Sequence, residues 1–277
     1  MKKQQIRACI MRTGGTNCDE EVKRAFEEFD VQAKVLRSTK ISGNDLSKYH
    51  VLVFPGGFSY GDYVRAGAVW GKEVKVKFGK ALESFVEEGK PVLGICNGFQ
   101  VLVETGLIPA FNGTSEYPEI ALATNVSARY ECRWVARDDF LYLKNENSGK
   151  CVFTRKILKG NLLRIPIGHG EGRLLFPEDR EEEYVKKLVD NDQLVFRFAR
   201  SDGTYPNGAY PENPNGSVHD ITGLCNPQGN VLGLMPHPER AFYGWQLPDY
   251  TRMDEKPEYG DGRLIFESVI EYVEEEF

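Results

Sequence analysis

Through the first hundred residues, short apolar runs alternate with stretches whose apolar residues recur at helical spacing. Residues 6–11, 31–36, 51–54 and 92–96 are apolar segments too short for helices, and strands covered on both faces read this way. Between them, residues 17–29 carry Val22, Ala25, Phe26 and Phe29 on one face, with Asp19, Glu20 and Glu21 in the first turn. That spacing predicts a helix whose acidic start matches its dipole. Residues 78–86 predict another. Strand–helix–strand alternation predicts an α/β fold: a doubly wound, mostly parallel central sheet flanked by helices. Right-handed crossovers then gather the carboxyl ends of the strands at one edge, where ligands bind.

Beyond Leu107 the pattern turns β-rich. Residues 128–135, 150–157, 162–167, 194–199 and 231–235 read as strands, and 181–189 as a helix. A Pro, Asn and Gly cluster over 203–216 predicts a long loop. Residues 263–275 close the chain as a helix with Leu264, Ile265, Val269, Ile270 and Val273 inward. No repeat, low-complexity tract or dividing linker is present, so residues 1–277 are expected to form a single domain with β-rich additions in its second half.

Charge and cysteine usage narrow the classes. Acidic residues outnumber basic ones, 41 to 35, and no basic block tracks a phosphate backbone, which argues against a nucleic-acid partner. No run of apolar residues is long enough to span a membrane, and the start of the chain lacks the apolar core of a signal peptide. A cytoplasmic location is expected. Six cysteines without a CxxC pair suggest neither a disulfide framework nor a zinc ribbon.

One cysteine is set apart by its neighbours. In Gly94-Ile95-Cys96-Asn97-Gly98-Phe99-Gln100 an apolar strand runs into cysteine and then into a helix, the pattern of a nucleophile elbow with sulfur in place of oxygen. Glycines two positions to either side remove the Cβ atoms that so tight a turn would bring together. The helix start aims N–H groups and its positive end at the sulfur, favouring a charged nucleophile. A cysteine that merely packs at a strand end is the competing reading, and the flanking glycines weigh against it.

Such a sulfur needs a partner for proton transfer. Met235-Pro236-His237-Pro238-Glu239-Arg240 offers an imidazole and a carboxylate two residues apart, on one side of a proline-held extended segment. Glu239 is then placed to fix the tautomer of His237. Taken alone, His237 reads equally as a capping residue in a proline turn. Phe54-Pro55-Gly56-Gly57-Phe58 ends a strand in two glycines whose N–H groups, with that of Asn97, suit an oxyanion hole; an ordinary glycine turn is the alternative.

Together, GICNGFQ, PGGFSYGDYVRAGA and PHPER resemble the class I glutamine amidotransferases, which have a flavodoxin-like fold. GGTNCD at 14–19, GHGEGR at 168–173 and NPNGS at 213–217 resemble more narrowly the glutaminase subunit of phosphoribosylformylglycinamidine synthase, so the likeness spans nearly the whole chain. The resemblance implies Cys96 as nucleophile, His237 as general base and acid, and Glu239 as its orienting partner. It implies Gly57 and Asn97 as oxyanion donors, and Gly56, Phe58, Gln100, His169, Gly170 and Glu171 as the glutamine-binding wall. It further implies a synthetase partner that carries ATP and Mg2+, a small third subunit, and no cofactor or metal on this chain.

Two features depart from the compact subunit: the long stretch between the Cys96 helix and Gly168, and residues 240–263. Both look closer to the glutaminase domain of the single-chain synthase. Two other functions stay open at this point. One is an amidotransferase serving a different acceptor; the other is a non-catalytic regulatory or binding module on the same fold.

Overall fold

The structure is a computed structural model that describes residues 1–136 and 139–277. Nine strands form the main sheet: β1 (Arg7–Arg12), β2 (Gln32–Arg37), β3 (Val51–Phe54), β4 (Val92–Ile95), β5 (Tyr142–Asn145), β6 (Leu162–Arg164), β7 (Leu194–Ala199), β8 (Ile221–Cys225) and β9 (Val231–Leu234). Their order is β6-β5-β7-β8-β9-β4-β3-β1-β2. The run β2-β1-β3-β4-β9 is parallel throughout and has the strand order of a flavodoxin-like sheet. The other four strands extend it as an antiparallel set in which β5 lies between β6 and β7.

β3, β4 and β9 are buried at every position, as continuous apolar strands require when helices cover both faces. The longer helices are α1 (Asp19–Glu27), α2 (Ala68–Glu87), α3 (Asn97–Thr105), α4 (Glu181–Asp190) and α5 (Arg263–Glu276). α1 meets α5 through Phe26 and Phe266, with ring centroids 5.4 Å apart. α2 meets α3 where Gly71 faces Glu104, and a Cβ on Gly71 would lie 2.3 Å from the Glu104 Cβ. α3 in turn lies on the sheet with the Phe99 ring over Gly233, which pairs with Gly94 between β9 and β4, where the parallel run meets the antiparallel strands.

α2 begins ten residues before the predicted 78–86 because its buried stripe, Trp70, Val74, Phe78, Leu82 and Phe85, starts behind Gly67 among Lys and Glu residues. Residues 150–157 do not form a strand. The Asn147 Oδ1 accepts hydrogen bonds from Gly149 N–H, Cys151 N–H and the Thr154 hydroxyl, so the backbone curls locally into a turn at Val152–Thr154. Residues 162–167 split at Pro166, which has no N–H to donate: Leu162–Arg164 joins the main sheet, while Ile167–His169 pairs with Glu131–Arg133 in a separate ribbon. Within 128–135, Glu131–Arg133 supplies that ribbon and Val135 opens a short strand, while 128–130 and 134 are irregular. Residues 203–216 form the expected loop. Among the described residues no helix is long and apolar enough to cross a membrane.

Residues 240–263 wrap as short turns against α1 and α5. The Phe242 ring sits between Phe29 and Phe266, at 5.9 and 5.7 Å, and the exposed Trp245 stacks on Tyr243.

Candidate functional site

Loops from the carboxyl ends of β1, β3, β4 and β9 converge at one edge of the sheet. The β1 loop is stitched to the β3 loop: Asn17 and Cys18 N–H donate to the Gly56 carbonyl, and Phe58 N–H donates to that of Gly15. The β3 loop is tied to α3, with Ser59 N–H donating to the Asn97 Oδ1 at 3.2 Å. Gly56 is where β3 meets β9, since a Cβ there would stand 2.7 Å from the His237 ring.

Cys96 occupies the turn between β4 and α3 at φ 52° and ψ −106°, a conformation unfavourable for a residue with a Cβ. Two glycines permit it. A Cβ on Gly98 would lie 1.8 Å from the Phe54 carbonyl oxygen, and one on Gly94 would lie 2.6 Å from that of Gly98. The turn is therefore pressed between β3 and its own helix. Cys96 is 5% exposed, and its sulfur lies 3.5 Å from the Gly168 carbonyl, which also accepts the Tyr130 hydroxyl at 2.8 Å.

His237 is buried at the end of β9, its N–H held by the Pro166 carbonyl. Its Nδ1 is 2.5 Å from Glu239 Oε1, whereas Nε2 has no partner although fully shielded. Burial alone would lower the basicity of this imidazole. The Glu239 carboxylate and then the Cys96 sulfur outweigh it, and the group titrates well above its ordinary value. Gly168 lies against both groups: its carbonyl is 3.5 Å from the Cys96 sulfur, and a Cβ on it would stand 3.8 Å from His237 Nε2, so Cys96 and the His237–Glu239 pair share one neighbourhood.

Of the remaining predicted residues, Asn97 starts α3 next to Cys96, and Gly57, Phe58, Gln100 and the 168–171 segment, which includes His169, Gly170 and Glu171, line a cavity of about 130 Å3 opening on Cys96. Gly56 lies behind it, against His237. Gln100 Nε2 donates to the Glu171 carbonyl and its Oε1 accepts from Asn97 Nδ2, tying helix to wall. His169 is held by its packing on Gly172 and by Asn215 Nδ2, 3.2 Å from its Nε2. Burial, with a smaller effect of His237, pushes its pKa down to about 3, so the ring is neutral at ordinary pH. The NPNGS segment acts on this same wall: Asn215 and Ser217 both donate to the Gly172 carbonyl.

Sequence reasoning missed Tyr130 and the pair Cys18 and Arg240. The Cys18 sulfur is buried 4.0 Å from His237 Nδ1 and accepts from the Arg240 guanidinium at 3.0 Å. Both residues stood inside quoted motifs, but separation along the chain hid their contact. Cys18, His237 and Glu239 place potential metal-ligand atoms within 4.8 Å of one another, yet Arg240 already brings a fixed positive charge to that space.

A buried cysteine elbow beside a carboxylate-held imidazole, on a flavodoxin-like sheet, defines a class I glutamine amidotransferase site. The chain belongs to the CobB/CobQ-like glutamine amidotransferase domain family, matched over residues 5–273. It is similar to the phosphoribosylformylglycinamidine synthase subunit PurQ of Archaeoglobus fulgidus, with 42% identity over 99% of each chain. The subunit of the same name from Aquifex aeolicus is 41% identical, over 82% of this chain and 87% of its own. A solved structure of PurLQS from Thermotoga maritima contains a chain 31% identical, with a TM-score of 0.70, covering 97% of this chain and 99% of that one. Because the Archaeoglobus relative is a separate subunit aligned over 99% of both chains, residues 240–263 are no mark of a fused synthase.

Proposed function

We propose that this chain is the glutaminase component of phosphoribosylformylglycinamidine synthase. The observation that carries the reading is the unpartnered Nε2 of His237, on a ring whose other nitrogen is fixed by Glu239, beside the Cys96 elbow. The Cys96 thiolate attacks the side-chain amide carbon of glutamine, and the N–H groups of Gly57 and Asn97 hold the resulting oxyanion. His237 gives a proton to the departing ammonia, leaving a thioester on Cys96. The same imidazole then takes a proton from water, whose attack releases glutamate. Gly56, Phe58, Gln100, His169, Gly170 and Glu171 shape the glutamine pocket.

The names of the full-length relatives support the acceptor. Ammonia freed here serves the ATP-dependent conversion of formylglycinamide ribonucleotide to formylglycinamidine ribonucleotide on a synthetase partner, which holds ATP and Mg2+, with a small third subunit completing a cytoplasmic complex. Ammonia released to bulk water would be protonated and lost as a nucleophile, so a docked partner with an internal passage fits the chemistry. The test is Cys96→Ala reconstituted with the synthetase. Glutamine-dependent synthesis is expected to vanish while synthesis from ammonium salt persists; full glutamine-dependent turnover in that variant refutes the reading.

A further inference from the structure

The glutamine pocket contains a carboxylate for which the chemistry above has no use. Asp62 lines the same cavity as Cys96, and its Oδ1 is shielded from solvent without any hydrogen-bond partner. A second carboxylate, that of Glu171, shares the cavity, but its Oε2 already accepts the Ala66 N–H at 3.0 Å. Among the described residues, no lysine or arginine lines the space. The nearby Arg65 is engaged with Glu104 at 2.6 Å, and the one lining imidazole, His169, is neutral. Two acids therefore face a small polar cavity with no cation to answer them.

The backbone is built to hold Asp62 there. Tyr60, Asp62 and Val64 all adopt positive φ, at 54°, 55° and 73°, and for a β-branched residue this is strained. Strain of this kind survives only where surrounding structure over-determines it, and it concentrates at ligand clamps. The anchors are present: Tyr60 N–H donates to the Gly14 carbonyl, Gly61 N–H to that of Phe58, and the Tyr60 hydroxyl to Glu73 at 2.6 Å. Burial, followed by the neighbouring Glu171, raises the Asp62 pKa to about 6, the response of a carboxylate that lacks a counter-charge.

Resting on the glutaminase reading, we propose that the Asp62 carboxylate, which lines the cavity, receives the α-ammonium group of glutamine and so selects the amino acid over amides that lack that group. Glutamine carries one cation, at the opposite end from the amide that must reach the Cys96 sulfur. A carboxylate fixed in the pocket at this point orients the chain of the substrate. Asp62 is a positioning and specificity residue; it touches no reacting atom.

The test uses the full chain with its synthetase partner and compares glutamine with glutaramate, which has the same carboxylate and amide but no α-amine. In Asp62→Asn the KM for glutamine is expected to rise by at least about tenfold, the loss of one charge-assisted hydrogen bond, with a smaller change in kcat. The inhibition constant of glutaramate as a competitor is expected to stay within about twofold, because nothing it binds has changed. Asp62→Glu, which keeps the charge, should recover part of the glutamine affinity. An unchanged glutamine KM, or a parallel loss of affinity for both compounds, overturns the proposal. Failure of the wild-type complex to hydrolyse glutamine would instead strike at the glutaminase reading itself.

Discussion

Replacing Glu239 by glutamine keeps the shape of the site and removes one charge. In the wild type, Glu239 Oε1 lies 2.5 Å from His237 Nδ1, and both residues are almost wholly buried, at 2% and 1% exposure. A charge-assisted hydrogen bond of this kind contributes about 1.5–3 kcal/mol, a factor of roughly 10 to 150. Two further effects act in the same direction. Burial lowers the basicity of His237 while Glu239 is the largest influence raising it, so in the variant the folded pKa falls and the imidazole becomes neutral at lower pH. The new amide can also donate to Nδ1, moving the ring proton to Nε2 and removing the acceptor that must face the sulfur; the wrong tautomer alone costs a triad enzyme about 10⁴ in kcat. The kcat for glutamine hydrolysis, measured with the synthetase across neutral to alkaline pH, is expected to fall by about 10² to 10⁴ with little change in KM. A Glu239→Gln enzyme that keeps wild-type kcat and pH profile, with an unchanged melting temperature, would refute this account of the His237–Glu239 pair.

The remaining predictions concern the scaffold. Gly98→Ala, favourable in most helices, here drives a methyl into the Phe54 carbonyl; thermal melts should show a loss of about 1–3 kcal/mol, with glutaminase activity falling alongside. Cys18→Ser should retain measurable glutamine hydrolysis, and iodoacetamide in the absence of glutamine should modify Cys96 and the exposed Cys132 ahead of Cys18, which peptide mapping would report. His169 has a depressed folded pKa, about 3 against about 6.5 unfolded, so across that window the unfolded chain binds a proton the native one refuses. Its contribution to stability is complete above about pH 6.5 and declines on acidification by up to about 1.4 kcal/mol per pH unit, so denaturant titrations of His169→Asn should show a shallower acid slope. His237 has the opposite sign: its folded pKa is raised, so its contribution is full below about pH 6.5 and is lost as pH climbs through the folded value. Glu239→Gln should flatten that alkaline decline in the same titrations.

How much was legible followed from how local the cause was. β3 and β4, and the elbow between β4 and α3, were readable because apolar runs and paired glycines act over a few residues. α5 was readable from its stripe alone. β8 was missed because Gly223, which makes room for the Phe196 ring, looks like a loop residue until β7 is placed beside it. The apparent strand over 150–157 failed because one side chain, Asn147, captures the backbone donors that a ladder would need. At the site, Cys96, His237 and Glu239 were singled out through motif chemistry. The Cys18–Arg240 contact and the free carboxylate of Asp62 required the fold, since they depend on separate loops meeting at one sheet edge.

On the proposed mechanism a covalent bond to glutamine forms at the Cys96 sulfur. Acid quenching of the assembled complex during turnover, followed by mass spectrometry of its peptides, would trap it. A glutamyl adduct confined to the peptide bearing Cys96, and lost in Cys96→Ala, is the predicted result; steady turnover with no adduct, or an adduct on Cys18, would contradict it.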